Sequence, residues 1–240
     1  MNRALSKRKN TSKAYEKSVY LGTDFPFFDS LVRCKKKSIS KPPGEFWLTY
    51  VGTLGHSYDL KPVIQAVTFL QSQYNLKFIV LGDGPLKQCF EEYAISLQSN
   101  VLFLGRKSYE EMVHYLKISD IAINPITKGA ASIINKHADY AAAGKPVVST
   151  QDSCEYKKLL ENYHAGINCS NDPAEMAKTL EKILNDEVMR KNLGENSRRL
   201  GEEKFNRKVT YKEIYDMINE ILEEGKKCDI GDKKIDEKNL

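Results

Sequence analysis

A chain of 240 residues, 41 % apolar and 29 % charged, can bury a sizeable core as one large or two small domains. Its net charge of +5 gathers at the front, where Arg3, Lys7, Arg8, Lys9, Lys13, Lys17, Arg33, Lys35, Lys36, Lys37 and Lys41 face only Glu16, Asp24 and Asp29. No apolar run reaches the roughly 20 residues of a membrane-spanning helix, nothing resembles a signal peptide, and five scattered cysteines (Cys34, Cys89, Cys154, Cys169, Cys228) form no CxxC pair, which argues against zinc and redox motifs and fits a reducing cytoplasm.

Residues 1–18 read as a solvated basic arm, with an anionic membrane face as the alternative; no nucleic-acid partner is expected. Residues 19–45 are irregular. From residue 46, β-branched and aromatic runs alternate with longer amphipathic stretches. Phe46–Val51 reads as a strand and Leu60–Tyr74 as a helix; Leu76–Leu81 as a strand and Pro85–Leu97 as a helix. Asn100–Leu104 and Tyr109–Ile118 form the next strand and helix, then Asp120–Asn124 and Ile133–Ala143, then Pro146–Thr150 and Glu155–Asn162, with Gly166–Cys169 as a last strand. Each pair has the length of a βαβ unit, and apolar strands such as PVVST and DIAIN suit a parallel sheet covered on both faces. The expected fold is α/β, a doubly wound parallel sheet followed by C-terminal helices. Asp172-Pro173, with Glu175 close behind, opens a helix to about Leu184. A second helix covers Glu187–Gly201. A third, Arg207–Glu224, carries an apolar stripe through Val209, Ile214, Met217, Ile218 and Ile221. Residues 225–240, charged or small, read as a disordered tail.

Ligands of doubly wound sheets bind at the carboxyl ends of the strands, which singles out four loops. Gly52-Thr53-Leu54-Gly55 lets backbone approach a ligand, or is a plain tight turn. The pattern GxGxxG of nicotinamide and flavin enzymes is absent. Gly82-Asp83-Gly84-Pro85 is equally well a turn or a ligand contact. Arg106-Lys107 could meet a diphosphate or be a solvated charge pair. The fourth loop, from Lys128 to Pro146, says most. Small residues precede a helix expected to start near Ser132, whose N–H groups would favour a phosphate. Ser132 and Lys136 share a face, and Lys136 and Asp139 are neighbours. Lys136 can offset phosphate charge, and Asp139 can accept from ribose hydroxyls; the plain alternative is a helical ion pair worth a few tenths of a kcal/mol. Four histidines without ligand spacing give no metal site.

In order and spacing, YVGTLG, LGDGP, FLGR, SDIAINP and NKHADYAAAGKPVVST resemble the C-terminal domain of the family 4 glycosyltransferases, which have the GT-B fold. The resemblance spans about residues 19 to 222. Asp139 stands where that family has the second glutamate of its paired motif, the acid that holds the ribose. The first glutamate falls on Ala131, the arginine after the first loop glycine is Thr53, and the following lysine is Tyr58. Asn135-Lys136-x-x-Asp139-Tyr140 is similar to a subgroup in which a helix lysine binds the diphosphate and the product is bacterial surface polysaccharide. The resemblance implies a retaining transfer from a nucleotide diphosphate sugar, a UDP-sugar by family habit, without a cofactor or metal. Lys136 and Arg106 would stabilise the leaving diphosphate, and Gly52, Thr53, Gly55, Gly82, Asp83, Gly84, Lys107, Ser132, Ile133, Asn135 and Asp139 would line the donor site. It also implies that Val19–Asp29 is where an N-terminal domain ends, so that residues 19–45 are remnant and linker, 46–201 the donor domain and 202–224 a crossing helix with a partly exposed stripe. A separate N-terminal acceptor domain and a lipid-linked acceptor at the inner membrane face are the expected partners. The alternatives are a non-catalytic nucleotide-sugar module or remnant, and a GT-B-like epimerase.

Overall fold

The computed structural model of the protein describes residues 19–34, 39–127, 136–152 and 154–236. In chain order these form α1 (Phe25–Arg33), β1 (Phe46–Val51), α2 (Lys61–Leu70), β2 (Leu76–Leu81), α3 (Lys87–Ser96), β3 (Val101–Gly105), α4 (Tyr109–Ile118) and β4 (Ile121–Asn124). Then come α5 (Lys136–Ala142), β5 (Val147–Ser149), α6 (Cys154–Tyr163), β6 (Gly166–Asn168), α7 (Pro173–Asn185), α8 (Glu187–Leu200), a π-helical turn (Gly201–Phe205) and α9 (Arg207–Asp236).

The six strands are parallel and lie in the order β3-β2-β1-β4-β5-β6. This is the doubly wound sheet that the alternating pattern predicts. The order reverses between β1 and β4, so the switch point, where ligands bind in such sheets, lies beyond their carboxyl ends. Side chains of β1 alternate between two cores. Leu48 and Tyr50 pack with Val63 and Ile64 of α2 and Met176 and Leu180 of α7. Trp47 packs on the other face, in the core of Met112, Val113, Tyr140 and Leu160. Burial on both faces is why the strands lack a polar side.

The helix before β5 packs tightly, as its alanines suggest. Ala141, Ala142 and Ala143 are buried. A Cβ on Gly194 would lie 2.6 Å from the Gly144 carbonyl oxygen, and one on Gly201 would lie 2.6 Å from the Phe25 ring. The bare backbone lets α8 and the π turn close against α5.

Three features differ from the sequence expectation. Within residues 19–45, α1 packs into this same unit: Asp24 caps it by accepting from the Phe27 N–H at 3.0 Å, and Phe25 and Phe28 are buried. Asp29 accepts two bonds from Arg198 of α8, at 2.9 and 2.8 Å. The Gly201–Phe205 turn was not expected, and it carries buried Phe205. Helix α9 continues through 225–236, the stretch expected to be disordered. Of the stripe predicted on α9, Val209, Ile214, Ile218 and Ile221 are 37–46 % exposed and Met217 is half-buried.

Candidate functional site

The carboxyl ends of β1, β2 and β3 bring Gly52, Thr53, Gly82, Asp83, Arg106 and Lys107 around a cleft of about 300 Å³. Backbone bonds tie these loops together: Gly52 N–H donates to Leu81, Gly82 N–H to Gly105 and Leu54 N–H to Asp83. Gly82 has φ +145°, and a Cβ there would stand 1.8 Å from the Gly52 carbonyl oxygen. That glycine is required by the crossing of the two loops, whatever binds beside it. Gly84 is equally constrained, since its Cβ would lie 2.4 Å from the Leu54 oxygen. The Asp83 carboxylate is turned onto its own loop, accepting from Gly84 N–H at 2.9 Å. Gly55 does not line the cleft; its carbonyl accepts from Tyr58 N–H. Arg106 and Lys107 are exposed and make no hydrogen bond or ion pair among the described residues.

Lys136 is the first described residue of α5, and its side chain turns inward to the switch point. It is 7 % exposed. Its Nζ lies 3.6 Å from the Tyr58 ring centroid and 4.3 Å from that of Tyr50, and finds no hydrogen-bond acceptor among the described residues. A Cβ added to Gly52 would be 3.5 Å from this Nζ, and Gly52 has φ +149°, so the glycine leaves both the turn and the space beside the ammonium open. Each aromatic face recovers about 0.5–2 kcal/mol of cation attraction. Burying an unpaired ammonium costs several kcal/mol. Burial therefore wins and pushes the Lys136 pKa well below the lysine range. A buried cation short of an anion, next to an open glycine at a switch point, has the chemistry of an anion site.

Asp139 faces a different neighbourhood. One carboxylate oxygen, Oδ1, accepts from the Thr23 hydroxyl at 2.7 Å and from the Tyr109 hydroxyl at 2.9 Å. Burial raises its pKa, and these bonds together with the charge of Arg207 offset part of the rise. Asp139 lines a hollow of about 330 Å³ with Thr23, Phe27, Tyr109 and Arg207. The ordinary helical pair between Lys136 and Asp139 is not formed. Tyr140, which follows Asp139, accepts from Val51 N–H and donates to the Ile123 carbonyl, tying β1 to β4.

The structure thus gathers Gly52, Thr53, Gly82, Asp83, Arg106 and Lys107, places Lys136 against Gly52, and puts Asp139 in a separate hollow. Ser132, Ile133 and Asn135, with the expected start of the helix, lie outside the described residues. Sequence reasoning missed the Tyr50 and Tyr58 rings around Lys136, and Thr23 and Tyr109 on Asp139. Thr23 is 116 positions from its partner, so no local pattern announces it. Among the described residues no group of three or more His, Cys, Asp or Glu could hold a metal ion, and no helix is long and apolar enough to cross a membrane.

Strand order and flanking helices define a Rossmann-like unit of the kind found in GT-B glycosyltransferases. The model of the family described as glycosyl transferases group 1 matches residues 33–200, and the chain belongs to that family. It is 29 % identical over 153 residues to the GalNAc-alpha-(1->4)-GalNAc-alpha-(1->3)-diNAcBac-PP-undecaprenol alpha-1,4-N-acetyl-D-galactosaminyltransferase of Campylobacter jejuni, covering 62 % of this chain and 41 % of that protein. It is 24 % identical over 184 residues to the capsular polysaccharide biosynthesis glycosyltransferase CapM of Staphylococcus aureus, covering 75 % and 47 %. The solved structure of Anabaena HepE in complex with UDP superposes with a TM-score of 0.71 at 17 % identity, covering 85 % of this chain and 57 % of that one, a likeness of fold. The chain spans about half the length of the curated relatives it matches.

Proposed function

We propose that this chain is the donor-binding half of a retaining, family 4-like glycosyltransferase, and that it holds a nucleotide diphosphate sugar, with UDP as the nucleotide. The observation that carries the reading is the buried, unpaired ammonium of Lys136 beside Gly52 at the switch point. A diphosphate there would supply the missing anion. As the sugar leaves, negative charge grows on the diphosphate, and a preorganised cation stabilises that charge without reorganising solvent. Arg106 and Lys107, uncommitted at the mouth of the neighbouring cleft, would add to the field. Asp139, with Oδ1 fixed by two hydroxyls, offers Oδ2 to ribose hydroxyls. Neither a cofactor nor a metal is needed for this chemistry.

Several finer points belong to the same proposal. The acceptor site would come from an N-terminal domain, the acceptor would be lipid-linked, and the product would be a surface polysaccharide. The work would take place in the cytoplasm, at the inner membrane face. That the relatives named above carry undecaprenol and capsular descriptions supports this direction. A thermal-shift panel tests the core of it, because a ligand stabilises the fold that binds it. UDP or a UDP-sugar should raise the melting temperature, whereas NAD should not. A flat response across all nucleotide diphosphates would remove the reading.

A further inference from the structure

A second hollow, about 630 Å³, opens at the amino ends of the strands, where the chain enters β4 and β5. It is bounded by the end of α4 (Lys117, Ser119, Asp120), the turn from α5 into β5 (Gly144, Lys145), and α8. None of its residues belongs to the donor site proposed above.

Its cations outrun the anions available to them. Asp120 is committed: its Oδ2 accepts from Lys41 Nζ at 2.6 Å and from Trp47 N–H at 2.7 Å. Asp29 is engaged by both terminal nitrogens of Arg198. Glu195 lies 3.9 Å from Lys191 on the exposed side of α8, and Glu187 stands at the start of that helix. Lys117 and Lys145 are left without any hydrogen bond or ion pair among the described residues. Lys117 sits in the last turn of α4, where a cation meets the carbonyl end of a helix. That explains Lys117 but not Lys145, which is half-buried, follows a glycine turn and caps no carbonyl. Burial, then the charges of Lys117 and Lys41, push the Lys145 pKa down to about 8 against the pull of Asp120. Arg190 enters from α8, its Nη1 pinned to the Ile183 and Leu184 carbonyls at 3.0 Å, which holds the guanidinium at the hollow.

We propose that this hollow is a second ligand site, which binds a small phosphate-bearing anion through Lys145, Lys117 and Arg190. Phosphate oxygens match both a guanidinium fork and ammonium point charges. The site is independent of the donor reading, since it lies at the amino ends of the strands and the donor cleft at their carboxyl ends.

The test is the rate at which an amine-acylating reagent modifies Lys145, followed by mass spectrometry on the full chain. Lys136→Met is used as the background, so that phosphate at the donor site does not contribute. Exposed Lys178 serves as internal control. Without phosphate, the labelling profile of Lys145 should have its midpoint near pH 8. With inorganic phosphate at roughly ten times its dissociation constant, Lys145 labelling at that pH should slow about tenfold while Lys178 is unchanged. Lys117→Met should weaken that protection and move the Lys145 midpoint upward. A parallel arm with phosphatidylglycerol vesicles separates a lipid headgroup from a free phosphate: protection by vesicles alone assigns the site to the membrane surface. No protection in either arm, or protection that Lys117→Met leaves intact, overturns the proposal.

Discussion

Replacing Lys136 by Met keeps the length of the side chain and its contact with the Tyr50 and Tyr58 rings while removing the charge. Two effects of opposite sign follow from the geometry. In the empty protein the ammonium is desolvated and has only the two rings for company. Several kcal/mol of lost hydration against about 0.5–2 kcal/mol from a ring leaves a net cost of about 1–3 kcal/mol. The Met variant should therefore be more stable by that amount in urea unfolding at pH 7. The gain should shrink in alkali. Because the folded pKa is depressed, the unfolded chain holds the proton up to 10.5 while the folded chain does not, so the wild-type penalty fades as pH rises toward 10.5. UDP binding should move the other way. A hydrogen bond to a charged group is worth about 1.5–3 kcal/mol, which calorimetry would read as a loss of about 10- to 150-fold in affinity. A variant that binds UDP as tightly as wild type removes Lys136 from the site. One that is less stable than wild type refutes the claim that its charge is unpaired.

Tyr109→Phe removes one of the two bonds on Asp139 Oδ1, and should weaken UDP binding by about 0.5–1.5 kcal/mol with little loss of fold, read by calorimetry beside circular dichroism. His137 is buried, with its ring 3.6 Å from that of Tyr156; burial, then the Lys136 charge, push its pKa well below 6.5, and the Gln151 side chain offsets a part. The unfolded histidine takes up a proton below 6.5 and the folded one does not. Stability should therefore fall as pH drops below 6.5, by up to roughly 1.4 kcal/mol per pH unit, and His137→Phe should flatten that slope in pH-dependent urea titrations. Arg198→Met leaves Asp29 and the Ala142 carbonyl without their donors, and should cost about 2 kcal/mol in urea unfolding.

What could be read from the sequence follows from the range of the forces involved. The sheet was legible because each βαβ unit signals itself locally, through an apolar run followed by a 3.6-residue pattern. Lys136 and Asp139 could be singled out as candidates because they sit on one short helix behind a strand. Their surroundings were not. That Lys136 turns toward Gly52 while Asp139 turns toward Thr23 and Tyr109 depends on packing across the switch point, between residues up to 116 positions apart. Helix α1 was missed although Asp24 and Pro26 are ordinary start signals, because the helix is short and packs on α4 and α5, far away in sequence. The extension of α9 past Glu224 was not legible, because Gly225, Gly231 and the aspartates between and after them are poor helix formers.

The most direct measurement is a crystal structure of the chain with UDP bound. The expected result is a phosphate oxygen within about 3 Å of Lys136 Nζ, the distance of a charge-assisted hydrogen bond, with the ribose at Asp139. A diphosphate seated elsewhere, with the ammonium still between Tyr50 and Tyr58 and without an anion, would contradict the central claim.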